Sequence, residues 1–257
     1  MIAAILAAAL ALTTADATAV VVKRWPTDEA RQGVAVDATA FYAIDDRAIG
    51  RYDKATGRKL AEWRAASDEP FTHLNGCVVI ATELVCAHSN YPAVPMWSTI
   101  EVFDTATLRH MRRRDLGKER GSATWVDSHD GAWWVAFAHY SGPSGEPGKG
   151  SEQTTLRRFD RDWREIGLWT HPPEVVARWR GMSNSGGAWR GGRLYTIGHD
   201  EPALYVFEVP PSDGVLKLVA TVAVESAGQG IAFDSAAGLL YSIQRATKEV
   251  IVSRLSE

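Results

Sequence analysis

Apolar residues along the chain fall into short runs bounded by polar or glycine-bearing turns, the spacing of β-strands. The runs repeat as units. Each unit opens on a small or glycine-containing strand: Gln32-Gly-Val-Ala-Val, Asn75-Gly-Cys-Val-Val, Ser122-Ala-Thr-Trp-Val, Ser185-Gly-Gly-Ala-Trp and Gln229-Gly-Ile-Ala-Phe. A second strand follows each, such as Phe41-Tyr-Ala-Ile or Leu240-Tyr-Ser-Ile, and then a third, such as Ile100-Glu-Val-Phe-Asp. A fourth is present in all units but the last, as in Lys59-Leu-Ala-Glu-Trp and Glu165-Ile-Gly-Leu-Trp.

The units start at 32, 75, 122, 185 and 229, intervals of 43, 47, 63 and 44. Four-stranded units at this period predict an all-β, five-bladed β-propeller. The last unit runs out of chain before its fourth strand, while Ala19-Val-Val-Val-Lys-Arg-Trp near the start has no unit of its own. The N-terminal strand is therefore expected to complete the last blade and close the ring. A β-sandwich, or six blades with one degenerate, accounts for the repeats less economically. Elements such as Gly230-Ile-Ala-Phe-Asp and Gly192-Arg-Leu-Tyr resemble the WD40-like, YVTN-like and gluconolactonase-like propeller superfamilies. That resemblance implies the fold alone. The Glu/Asn/Asp metal set of gluconolactonase-like proteins has no counterpart in these motifs.

Of the 257 residues, 46% are hydrophobic and 23% charged, and the net charge is -3 without long runs of either sign. A nucleic-acid partner is not expected, because phosphate binding needs a concentrated basic surface. The apolar stretch Ile2–Leu12 followed by Ala15-Asp16-Ala17 has the form of a secretory signal. It is shorter than the roughly 20 residues of a membrane span. Residues 1–17 are thus read as a signal peptide and 18–257 as one propeller domain, periplasmic or secreted and monomeric. Cys77 and Cys86 fit this compartment. Counting outward from a two-residue turn at Ala81-Thr82 places them opposite each other, where Cα atoms approach to about 4.5 Å. A disulfide is expected, with two buried thiols as the alternative.

Propeller geometry puts the starts of first strands and the ends of second strands at one mouth of the channel. The long connections fall there too: His88–Trp97, His139–Gly150 and Thr170–Ser185. So do His73, His88, His139 and His199, together with Asp45, Asp46 and Asp200. Three chemistries suit such a mouth. The four histidines could bind a divalent metal such as zinc that activates water or polarises a carbonyl, with Asp45, Asp46 or Asp200 supplying oxygen or orienting an imidazole. A calcium ion would instead be structural, held by Asp45, Asn75 and backbone carbonyls. His139, His199 and Asp45 could instead act as acid–base groups on a small polar ligand. Gln32, Asn75, Ser185 and Gln229 would orient that ligand and Arg245 would pair with a carboxylate. Alternatively the polar ring only organises water and ties blades together. Trp97 and Trp179 lie in mouth-side connections and are candidate walls for a sugar or aromatic group. The Gly/Pro-rich stretch 141–150 is a candidate lid. The expected activity is metal-assisted hydrolysis, lactone opening or ring isomerisation; the alternative is a non-catalytic propeller that binds a glycan or protein of the cell envelope.

Overall fold

The structure, a computed structural model, describes residues 17–256. The expected signal peptide lies outside the described residues, apart from Ala17.

Strand β1 (Ala17–Pro26) precedes the first antiparallel sheet, β2 (Gly33–Val36), β3 (Ala40–Asp45), β4 (Ala48–Asp53) and β5 (Lys59–Arg64). The second sheet is β6 (His73–Ile80), β7 (Glu83–Ser89), β8 (Trp97–Asp104) and β9 (His110–Lys118). The third begins β10 (Ser122–His129), β11 (Ala132–Ala138), β12 (Thr155–Phe159) and β13 (Glu165–Thr170). After the short helix α1 (Pro173–Arg178) come β14 (Asn184–Arg190), β15 (Arg193–Gly198), β16 (Ala203–Glu208), β17 (Gly214–Val215) and β18 (Lys217–Ala223). The chain ends on β19 (Ile231–Asp234), β20 (Leu239–Gln244) and β21 (Glu249–Leu255).

Short polar turns give the meander its order, and the register follows the side-chain pattern. At the β6–β7 hairpin Ile80 faces Glu83, Val79 faces Leu84, Val78 faces Val85 and Cys77 faces Cys86. Cys77 and Cys86 form a disulfide, as this register predicts. Inner strands are buried on both faces because each sheet is sandwiched between neighbours, so β3 reads as the nearly continuous run Ala-Phe-Tyr-Ala-Ile. Outer strands such as β5 and β9 alternate instead, having one face in solvent.

The innermost strands β2, β6, β10, β14 and β19 pack side by side in a closed cycle, which makes the fold a β-propeller. Their approach is close enough to require glycine. A Cβ on Gly33 would lie 2.5 Å from the Asn75 carbonyl oxygen, and one on Gly186 would lie 2.3 Å from that of Gln229. On Gly230 it would meet the Gly33 Cα at 2.6 Å.

The seam is formed by the N-terminal strand. β1 pairs antiparallel with β21, from Ala19 opposite Leu255 to Pro26 opposite Glu249. Lys54 Nζ also reaches Asp234 Oδ2 at 2.5 Å, linking the first and last inner sheets. One feature is not foreseen in the sequence. The start of β1 adds a two-residue parallel bridge to β18, which joins two strand groups into one eight-stranded sheet. Among the described residues no helix is long and apolar enough to cross a membrane.

Candidate functional site

At the mouth where the inner strands begin lies a cavity of about 430 Å³, within the range of small-molecule sites. Equivalent positions at or just before the inner strands contribute Gln32, Asn75, Thr124, Ser185 and Gln229 to it. Four of these are the residues expected to orient a ligand. The third sheet differs, since counting from its first strand points to Ser122. A β-bulge between Ala123 and Trp125 places Thr124 in the cavity, just as bulges between Leu74 and Cys77 and between Asn184 and Gly186 place Asn75 and Ser185. Ser122 is instead buried and bonded to Ser89 at 2.7 Å. The equivalence of Thr124 is hidden because Trp125 stands where the other units carry glycine; its ring covers Gly187 and its Nε1 donates to Asn184 Oδ1.

The chemistry on one wall comes from Asp46 and His73. Asp46 follows β3, and His73 opens β6. Asp46 Oδ1 lies 2.6 Å from His73 Nδ1 and also accepts Gln32 Nε2 at 2.8 Å. Burial alone would push the Asp46 carboxyl up, but the His73 hydrogen bond, with help from Gln32 and Arg31, holds it below its ordinary value. An ionised Asp46 fixes the proton of His73 on Nδ1 and leaves Nε2 as the basic atom. Asp45, the carboxylate expected to be catalytic, does not line the cavity. Its Oδ1 accepts the backbone N–H of Asp46 and lies 3.5 Å from Arg31.

His199 lines the same cavity, its Nδ1 2.8 Å from Asp200 Oδ1 though off hydrogen-bond alignment. Gln229 has a left-handed backbone (φ 70°) and donates to the His199 carbonyl. Arg245 lines the cavity as expected, beside Arg31. The aromatic wall is Tyr91 and Tyr140, ring centroids 4.9 Å apart, with His73 5.2 Å from Tyr91. Burial raises the Tyr140 hydroxyl well above its ordinary value, so it stays protonated. Neither tyrosine stands out in the sequence, because both occur just beyond strand ends in loops with no repeat.

The other expected site residues lie elsewhere. His88 is fully buried. The Thr72 backbone N–H donates to its Nε2, so its Nδ1 carries the proton and donates to Thr99 Oγ1 at 2.9 Å. Thr99 in turn donates to the buried Glu101, which binds Arg113 and His110. Burial, then Arg113 and His73, hold His88 down to about 3, a neutral structural imidazole. His139 is also buried, with Nδ1 3.6 Å from Glu146, and burial holds it below its ordinary value.

These placements do not fit a metal shared by His73, His88, His139 and His199. Both ring nitrogens of His88 are occupied, and only His73 and His199 reach the cavity. Among the described residues no group of three or more His, Cys, Asp or Glu is arranged to hold a metal ion.

Trp97 opens β8, where its Nε1 binds Asp115 and Arg113 lies over its ring. Trp179 is 3% exposed and packs edge-on against His171. Neither lines the cavity. The stretch 141–150 lies over His139, anchored by Glu146 accepting the Met96 N–H at 2.7 Å, and contributes no cavity residue.

No protein-family model matches the chain, and no curated protein matches it. Among solved structures it is similar to the glutaminyl cyclase of Myxococcus xanthus, with a TM-score of 0.65 and 10% identity over 93% of this chain and 97% of that one. It is also similar to the PQQ-bound aldose sugar dehydrogenase of Streptomyces coelicolor, with a TM-score of 0.55 and 13% identity over 90% of this chain and 80% of that one. At these identities the likeness is one of fold.

Proposed function

We propose that residues 18–257 are an exported, monomeric, five-bladed propeller enzyme that opens or closes a ring, or hydrolyses a bond, in a small polar molecule by general acid–base catalysis. The observation that carries this reading is the His73–Asp46 pair, 2.6 Å apart on the cavity wall. His73 Nε2 takes a proton from the attacking group, either water or an amine of the substrate itself. It then returns that proton to the leaving group, while Asp46 holds the imidazole in the required tautomer. Thr124 Oγ1 is buried without a protein partner and is free to donate to the substrate oxygen that gains charge. Two similar folds belong to enzymes, one a cyclase by name, which supports catalysis over simple binding. The disulfide supports an oxidising compartment.

The test is turnover of glutaminyl dipeptides, lactams and lactones by the purified protein, followed by ammonia release and by acid titration. We expect turnover of at least one class, lowered about 10²- to 10⁴-fold in His73→Ala with the circular dichroism spectrum unchanged. Full activity of His73→Ala, or no turnover of any class, would remove the acid–base reading.

A further inference from the structure

The charges around the cavity are unevenly satisfied. Asp46 is engaged by His73, Gln32 and Arg31. Asp45 lies against Arg31, and Asp200 against His199. Arg245 differs. Its Nε donates to the Arg31 carbonyl at 3.1 Å and its Nη2 to Gln32 Oε1 at 3.0 Å, both neutral acceptors. Among the described residues no carboxylate lies within 4.0 Å of it. A half-buried guanidinium on a cavity wall without an anionic partner is a costly arrangement, and an anion in the cavity relieves it.

We propose that Arg245 is the receptor for a carboxylate on the substrate, so that the molecule handled here is a small monocarboxylic acid or its ring-closed derivative. This rests on the acid–base reading of the same cavity and names its substrate class. A single guanidinium matches one negative charge. A phosphate dianion suits the site less, because Asp45, Asp46 and Asp200 stand close by and repel a second charge. Burial, then the neighbouring Arg31, hold Arg245 below its ordinary value even though Asp46, Asp200 and Asp45 act the other way, and a bound carboxylate in contact opposes that lowering.

Gln32 ties this receptor to the reacting pair. Its Oε1 accepts from Arg245 and its Nε2 donates to Asp46 Oδ1, which holds His73. Anchoring the carboxylate at Arg245 therefore fixes the rest of the molecule relative to His73 Nε2, and Gln32 is a positioning residue between the two. Thr124, Asn75 and Ser185 face the remaining polar groups from the other sheets.

The experiment compares acid and amide forms of one skeleton, which differ in charge and little in shape: glycolate with glycolamide, pyroglutamate with pyroglutamamide, galacturonate with galacturonamide. Binding to the full chain is measured by titration calorimetry and ligand-observed NMR, without reference to turnover. We expect at least one acid to bind tenfold or more tightly than its amide, with the preference abolished in Arg245→Gln and retained in part in Arg245→Lys. Thermal unfolding of both variants checks that they fold. Equal binding of acid and amide in every pair, binding of none, or a preference that survives Arg245→Gln overturns the proposal. Phosphate binding more tightly than every acid overturns the choice of carboxylate. A carboxylate preference in a protein without turnover would leave this inference standing and remove the catalytic one.

Discussion

Inserting one methyl group at Gly230 tests how tightly the inner strands are packed. The new Cβ would lie 2.6 Å from Gly33 Cα, 2.9 Å from Val34 N and 3.1 Å from Gln32 O. Non-bonded carbon atoms settle at roughly 3.5–4.0 Å, so β19 and β2 must separate by about 1 Å. All three obstructing atoms are backbone, and no rotamer change relieves them. Overpacking of this kind costs about 1–3 kcal/mol, and the absence of a flexible neighbour puts Gly230→Ala near the upper end. For a chain of this size that lowers the unfolding midpoint by about 6–12 °C. Gly191→Ala is the control: nothing lies within 4 Å of its Cβ and only its positive φ of 55° is disturbed, for about 1 kcal/mol. Differential scanning calorimetry of both variants reads the contrast. Because Gly230 adjoins Gln229 and presses on Gln32, ligand affinity should fall in Gly230→Ala and stay unchanged in Gly191→Ala. Equal stability of the two variants, or a Gly230→Ala midpoint within about 1 °C of wild type, would refute the close approach.

Two further outcomes follow from buried charges. Glu101 is fully buried between Thr99, His110 and Arg113, so Glu101→Leu should destabilise by about 2–4 kcal/mol in urea unfolding, the lower part of the range reflecting partly exposed partners. Glu101→Leu with Arg113→Met should recover much of that loss; a double variant no better than the single would refute the pairing. Asp127 accepts the Ser128 and Trp189 N–H groups, yet its burial dominates and pushes it up to about 6. Between about pH 4 and 6 the native state holds a proton that the unfolded state has lost, so this residue makes stability fall as pH rises through that window, by roughly 3 kcal/mol. The buried His88 and His171, held down to about 3 and 4, act oppositely, losing stability as pH falls below the ordinary histidine range. Asp127→Asn should therefore leave a profile that only declines toward acid, and an unchanged profile would refute the assignment.

The strand order was legible because the repeated units carry their own turn signals and because inner strands, buried on both faces, read as apolar runs. The Cys77–Cys86 pairing was legible for a related reason: a two-residue turn fixes hairpin register. The polar ring was legible at Gln32, Asn75, Ser185 and Gln229, where a following glycine marks the close approach. It failed at Thr124, where Trp125 replaces that marker. Which histidines reach the cavity was not legible. His88 and His73 pair near one another across β6 and β7, yet alternate pleats send one into the core and the other to the mouth. A one-residue difference likewise separates Asp45 from Asp46. The choice of tyrosine over tryptophan walls depends on loop paths that no repeat encodes.

The seam also sets an order for folding. Each hairpin of the inner meander can form between residues close in sequence, whereas β1 finds its partner only when β21 exists, from Ala19 to Leu255. Closing a loop of that length costs about 5 kcal/mol of chain entropy, to be met by this strand pairing, the packing of β19 on β2 and the Lys54–Asp234 contact. The loop cost alone makes ring closure the expected last step of assembly and its reversal the expected first step of opening. The mouth cavity shares this dependence, because Arg245 on the final sheet is held by Arg31 and Gln32 beside the first. A chain whose seam has parted keeps most of its sheets but loses the contact between Arg245 and Gln32, so integrity of the two chain ends is read out at the far side of the molecule as the competence of the site.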